Sequence, residues 1–159
     1  MRAPLRLNGA CGRAIALALA LVAPLLADSG NAGVRVRNGA GLVLASFPSA
    51  RDFTLGYVHS INLSPVDERF LVPGDGTLVL DRVTFDQLST GMPSGDEDGF
   101  AVENGRFVTR PGRVLDRIAL RVSPVPGHEM RIGGRVLPLT RWAPPGGLLY
   151  LEAGRRKAP

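Results

Sequence analysis

A histidine and a glutamate stand among residues that otherwise alternate between apolar and polar, as strands do. His59 lies in the run 53–61 and Glu68 in the run 66–72. A histidine beside a carboxylate can serve as a general acid–base pair, bind a ligand by hydrogen bonds, or form a structural ion pair. Because polar side chains on an apolar face are costly when unpaired, the sequence predicts that these two meet.

The apolar faces of the two runs set their expected register. Odd-numbered residues of the first run and even-numbered residues of the second are the more apolar sets. A four-residue loop, 62–65, keeps both sets on one face and places His59 directly opposite Glu68. Tyr57 and Ser60 lie beside this pair. The candidate ligand-binding residues are therefore His59, Glu68, Tyr57 and Ser60.

Three interpretations of the pair stay open: a sealed structural contact, a ligand-binding or acid–base pair in a cleft, and a metal site. Ser60 is not predicted to be a nucleophile, because neighbours on a strand point to opposite faces and the chain has no Gly-x-Ser-x-Gly elbow. His128 follows a Pro-Gly turn and is expected at the surface. The acidic run 96–98 lacks the spacing of a calcium loop. We predict no metal and no cofactor.

Strands must position these residues. Short alternating or apolar runs recur between turn residues from 34 to 151, among them 77–80, 82–85 and 114–122, and the chain has 20 glycines and 13 prolines. This pattern predicts an all-β fold, a single antiparallel β-sandwich or small barrel. Consecutive glycines at 133 and 134 predict a two-residue hairpin turn, since both positions need positive φ. Asp75 and Gly76 predict a second tight turn, and 91–105 is expected to be a loop.

The N-terminal residues predict export. Three arginines precede an apolar run of 13 residues, 14–26, which Ala27 follows. This layout is typical of a signal peptide, here 1–27. As a helix the run spans about 20 Å, less than a bilayer core of about 30 Å, so we expect no stable membrane span after cleavage. One β-rich domain, 28–159, is then expected in the periplasm or outside the cell.

The composition of that domain is ordinary for a soluble protein. Without the three leader arginines the chain has 16 basic and 14 acidic residues, so no nucleic-acid partner is predicted. The only cysteine, Cys11, precedes the apolar run. A cleaved domain would therefore contain no disulfide, no thiolate metal site and no cysteine nucleophile.

The residues around the pair also resemble a known family. Tyr57-Val-His-Ser followed by Pro65-Val-Asp-Glu and an aromatic residue resembles the bacterial family called domain of unknown function 1850, over about residues 40–152. Gly91-Met-Pro is similar to a later segment of that family. The resemblance implies no established reaction. It implies an association with tripartite ATP-independent periplasmic (TRAP) transporters of the TAXI type, beside which members are often encoded.

Our leading hypothesis is an exported, non-enzymatic accessory or binding protein that contacts a TRAP transporter component or its solute. The loop 91–99 would form a rim or a partner contact. One alternative is a small hydrolase or isomerase that uses His59 and Glu68 as acid and base. Another is a structural envelope protein in which the pair fixes the register. A water-accessible cleft at the pair would favour a ligand site, and a sealed pair would favour a structural one.

Overall fold

The computed structural model describes residues 33–88, 99–125 and 127–154, so the predicted signal peptide lies outside the described residues. This part of the chain forms strands and one 3₁₀ turn, Leu139–Arg141. No helix within it is long and apolar enough to cross a bilayer. The strands are, in chain order, β1 Gly33–Asn38, β2 Val43–Pro48, β3 Asp52–Val58, β4 Pro65–Leu71, β5 Leu78–Phe85, β6 Ala101–Glu103, β7 Arg106–Thr109, β8 Arg113–Leu115, β9 Arg117–Arg121, β10 Glu129–Ile132, β11 Arg135–Pro138 and β12 Leu148–Ala153.

The strands form two antiparallel sheets. The small sheet has the order β2-β1-β12-β9, and the large sheet has the order β11-β10-β3-β4-β5-β7-β6, with β8 paired to β5. Neither sheet closes into a barrel within the described residues. The predicted all-β antiparallel architecture is confirmed as a sandwich.

The core lies between the two sheets and explains why they stay together. Alternate residues of each strand point inward, and Phe53 and Phe70 stack there with ring centroids 5.1 Å apart. Full burial of one such side chain contributes about 1.5–3 kcal/mol. The strand residues of the larger buried cluster are Val34, Val36, Leu149, Leu151 and Ala153 of the small sheet, and Phe53, Leu55, Phe70, Leu78, Met130, Ile132 and Leu137 of the large sheet.

Two predicted segments divide differently in the structure. The run 114–122 reads as one strand, but the chain leaves the large sheet at the end of β8, passes Asp116 and enters the small sheet as β9. The runs 77–80 and 82–85 read as two strands, but they form the single strand β5. A register shift against β4 leaves Asp81 without an opposite residue, which marks a β-bulge.

The turns follow their local chemistry. Gly133 and Gly134 have φ of 54° and 74° and join β10 to β11, so the predicted hairpin is confirmed. The carboxylate of Asp75 accepts a hydrogen bond from the Thr77 amide at 2.8 Å in the turn between β4 and β5. The prediction of a loop over 91–105 is wrong at its C-terminal end, because β6 lies there and a turn joins it to β7. Residues 89–98 lie outside the described part of the chain.

The β3–β4 hairpin has a different register from the predicted one. Leu55 lies opposite Glu68, and Tyr57 lies opposite Val66. The expected direct pairing of His59 with Glu68 is therefore wrong. The two faces are nevertheless as predicted, because the slip moves the pairing by an even number of residues and preserves which side chains point inward.

Local hydrogen bonds in the loop cause this slip. The His59 amide donates to the Ser64 carbonyl, and the Leu63 amide donates to the His59 carbonyl, both at 2.9 Å. The chain thus turns at 60–63, two residues earlier than predicted. The Asn62 side chain accepts hydrogen bonds from the Ser64 amide at 3.2 Å and from its hydroxyl at 2.8 Å. Leu63 takes the left-handed conformation, with φ of 53°.

Candidate ligand-binding cleft

The residues singled out from the sequence line one cleft between the two sheets. Tyr57 and Glu68 come from β3 and β4, and His59 and Ser60 come from the hairpin loop. The opposite wall is β9 of the small sheet, and the connection from β9 to β10 closes one end. The cleft has a volume of about 420 Å³, within the range of small-ligand sites. The structure therefore brings all four residues together around an open cleft rather than around a sealed pair.

The partner of Glu68 is Tyr57. These residues lie diagonally across β3 and β4, and the Tyr57 hydroxyl donates a hydrogen bond to Oε1 of Glu68 at 3.1 Å. Burial raises the pKa of the Glu68 carboxyl, and the hydrogen bond from Tyr57 partly opposes this. Burial, the negative charge of Glu68 and the shared hydrogen bond all raise the pKa of Tyr57. Tyr57 therefore stays a neutral donor, and Glu68 keeps its proton to a higher pH than an exposed glutamate.

His128 also lines the cleft, although its turn predicted a surface position. It is half-buried, and its ring meets the Tyr57 ring edge-on at a centroid distance of 6.1 Å. Its Nδ1 accepts a hydrogen bond from the Ser123 amide at 2.8 Å. Burial lowers the pKa of His128, so the ring is neutral at neutral pH. With Nδ1 as the acceptor, the proton lies on Nε2 and is available to a ligand.

The pairing of β10 with β3 explains the place of His128. Glu129 lies opposite Gly56, so the preceding residue, His128, lies beside Tyr57. Gly127 has φ of 92° and allows the chain to turn into β10. No local pattern marks this pairing, because the two strands lie some 70 residues apart in the sequence.

His59 and Ser60 form the loop side of the cleft. His59 is half-buried, and its Nδ1 accepts a hydrogen bond of 3.4 Å from the Ile61 amide. Ser60 is exposed. Within the described residues, no hydrogen bond joins His59 to Glu68. The arrangement therefore offers separate hydrogen-bonding groups around a cleft, and not a joined histidine–carboxylate pair.

The outer face of the same hairpin carries an ion network that sequence reasoning missed. Asp67 points away from the cleft, accepts a hydrogen bond from Arg106 at 3.1 Å and also pairs with Arg131. Gly56 makes this possible, because a Cβ at that position would lie 2.8 Å from the Arg131 guanidinium. The network joins β4, β7 and β10 on the side opposite the cleft.

Metal chemistry finds no support among the residues that the structure describes, since no group of three histidine, cysteine, aspartate or glutamate side chains could hold an ion there. The acidic run 96–98 lies outside those residues.

A family model described as "Domain of unknown function (DUF1850)" matches residues 53–139. The matched region begins in β3, ends at the 3₁₀ turn and contains every cleft residue named above. No curated protein and no solved structure matches the chain.

Proposed function

The chain belongs to the DUF1850 family, and we propose that it is an exported accessory protein that binds a ligand in the cleft between its sheets without converting it. One observation carries this proposal. Tyr57, His59, Ser60 and Glu68 line a single open cleft of about 420 Å³, together with His128. Convergent polar groups in a concave, partly apolar site are typical of ligand binding.

The hydrogen bonds of the cleft favour binding over acid–base catalysis. Glu68 is held by Tyr57 at 3.1 Å rather than by His59. His128 uses Nδ1 for the Ser123 amide, which leaves Nε2 as a donor. The Glu68 carboxyl group has a second oxygen that can accept a hydrogen bond from a ligand. The cleft is thus suited to a ligand group with both kinds of hydrogen-bonding atom, such as an amide or a carboxyl.

Two sequence features support the accessory role. The charged start, the apolar run 14–26 and Ala27 favour export into the periplasm or out of the cell. The resemblance to a family often encoded beside TAXI-type TRAP transporters favours a contact with a component of such a transporter or with its solute.

An uptake assay tests this proposal. We expect deletion of the gene to lower uptake through a TAXI-type transporter of the same cell, and the wild-type gene to restore it. His59→Gln and Glu68→Gln should restore it only in part, because each changes a hydrogen-bonding group that lines the cleft. Arg135→Gln, outside the cleft on β11, is the matched control and should restore it fully. Secretion of each variant is checked by immunoblot.

Two results would contradict the proposal. Normal uptake in the deletion strain would remove the accessory role. Turnover of a substrate by the purified protein, lost in Glu68→Gln, would replace binding by the hydrolase or isomerase alternative.

A further inference from the structure

Strand β9 presents its edge to the cleft. It ends the order of the small sheet, and within the described residues it pairs only with β12. Four consecutive residues, 118–121, line the cleft. Because successive side chains of a strand point to opposite faces, four consecutive lining residues mean that the edge of the strand borders the cleft.

The backbone groups on that edge can be assigned from the ladder. The Val122 amide donates to the Gly147 carbonyl at 2.9 Å, so even-numbered residues of β9 direct their amides and carbonyls toward β12. Ala119 and Arg121 direct their backbone amides and carbonyls away from β12, toward the cleft. No hydrogen bond from the described part of the chain reaches these groups. A row of open backbone groups at a sheet edge is a template for another extended chain.

The outward face of the small sheet is basic. Arg35 and Arg37 on β1 and Arg117 and Arg121 on β9 share that face with one acidic residue, Glu152 of β12. The carboxylate of Glu152 pairs with Arg37 at 2.8 Å. A strand added beside β9 would therefore meet two arginines on the face that it shares with the sheet.

The two arginines of β9 make contacts that leave them able to bind a carboxylate. Arg117 lies over the Tyr150 ring, 4.7 Å from its centroid. Arg121 donates one hydrogen bond to the Gly146 carbonyl at 2.9 Å. Neither forms an ion pair with a carboxylate in the described residues. A guanidinium has five N–H donors, so each retains donors for a ligand.

A second copy of this chain is a poor occupant of the edge. Antiparallel pairing of β9 with itself along its whole length places Arg117 of one copy opposite Arg121 of the other. Like charges directly opposite each other destabilise a strand pair, whereas opposite charges stabilise it. The charge pattern thus calls for a strand with acidic residues four positions apart.

We propose that the free edge of β9 binds an extended, acidic segment of a partner polypeptide by strand addition. Its carboxylates lie opposite Arg117 and Arg121, and its alternate side chains point into the cleft toward Tyr57 and Glu68. This inference rests on the proposed binding function, since it names the ligand class of the same cleft.

Calorimetric titration with a synthetic peptide, Thr-Glu-Val-Ser-Val-Glu-Thr, tests the inference. The purified mature protein should bind it, and the affinity should fall as salt is raised. The peptide with lysine in place of both glutamates should bind about tenfold more weakly or worse. Amide resonances of 117–121 should shift on binding.

Charge reversal distinguishes this mode from other contacts. The double variant Arg117→Glu with Arg121→Glu should lose about tenfold in affinity for the acidic peptide and gain affinity for the lysine peptide. Arg135→Glu, also on an edge strand, is the matched control and should change neither. Ala119→Pro removes an amide that faces the cleft and makes no hydrogen bond to β12. This variant should therefore bind both the acidic peptide and the lysine peptide more weakly. If that variant does not fold, the double variant Arg117→Glu with Arg121→Glu decides whether strand addition occurs.

The outcomes separate this inference from the proposed function. If the wild type binds neither peptide, while His59→Gln still impairs uptake, strand addition is wrong and the accessory role stands. If the wild type binds neither peptide and the single variant Arg117→Glu, which places opposite charges across a self-paired β9, self-associates, the arginines serve only to prevent edge pairing, and the inference is also wrong. If the peptide binds as described but deletion leaves uptake normal, the accessory role is wrong and the polypeptide site stands.

Discussion

Replacing Tyr57 by phenylalanine tests the account of the cleft most directly. The variant removes one hydroxyl and keeps the ring that meets His128 edge-on. What is lost is the hydrogen bond to Glu68 at 3.1 Å. We expect the free energy of unfolding to fall by about 1 kcal/mol when Glu68 is protonated. The loss should be larger, about 2 kcal/mol, when Glu68 is a carboxylate, because hydrogen bonds to charged groups are stronger.

The expected losses in the free energy of unfolding depend on whether water can enter the cleft. Water can reach Glu68 after the hydroxyl is removed, so the loss should stay below that of a charged group left buried and unpaired, which is about 3–5 kcal/mol. Urea titrations at about pH 4 and about pH 7.5 measure both values.

Tyr150→Phe is the matched control. The Tyr150 hydroxyl makes no hydrogen bond within the described residues, so its removal should change stability little at either pH. Equal losses for Tyr57→Phe at both pH values would show that Glu68 does not ionise next to Tyr57. No loss at either pH would refute the hydrogen bond as a stabilising contact.

The remaining predictions concern titration and the outer face. Burial raises the pKa of Glu68 above 4.5, so its contribution is complete below that pH and is lost as pH rises through the folded pKa. Glu68→Gln should remove that decline in urea titrations. Burial lowers the pKa of His128 below 6.5, so stability falls as pH drops below 6.5, and His128→Gln should flatten that fall. Asp67→Ala leaves Arg106 and Arg131 without their shared carboxylate. It should cost about 1 kcal/mol at low salt and less at high salt, and a loss independent of salt would contradict an electrostatic network.

The inward and outward faces of β3 and β4 could be predicted, but their register could not. Alternation fixes which side chains point inward, and a slip by an even number of residues leaves that pattern unchanged. The pattern of apolar residues therefore cannot distinguish Leu55 from His59 as the residue opposite Glu68. The choice depends on the loop, where Asn62 holds Ser64 and closes the turn early. Asparagine favours such a turn by its residue type, but the alternation of apolar residues does not show where the turn closes.

The pairing of strands that lie far apart in the chain could not be predicted from the sequence either. His128 enters the cleft because β10 pairs with β3, and β9 forms the opposite wall because the chain changes sheets at Asp116. Leu115 and Asp116 interrupt the alternation of this run, but an interruption of this kind does not by itself indicate a change of sheet. In contrast, the Asn104-Gly105 turn between β6 and β7 carries a recognisable hairpin signal, with φ of 51° and 78°. Strand β6 could therefore have been predicted from the sequence.

The even slip of the hairpin decides which chemistry the cleft can perform. A direct histidine–carboxylate pair would share a proton and could transfer it to a substrate. The observed register gives Glu68 a phenol as its partner, whose pKa is raised by burial, by the charge of Glu68 and by their shared hydrogen bond. Such a donor holds its proton and fixes the carboxyl group in place. Beside it, His128 is neutral and keeps one N–H free. Groups that hold their protons orient a ligand rather than transform it, and this supports the proposed binding role.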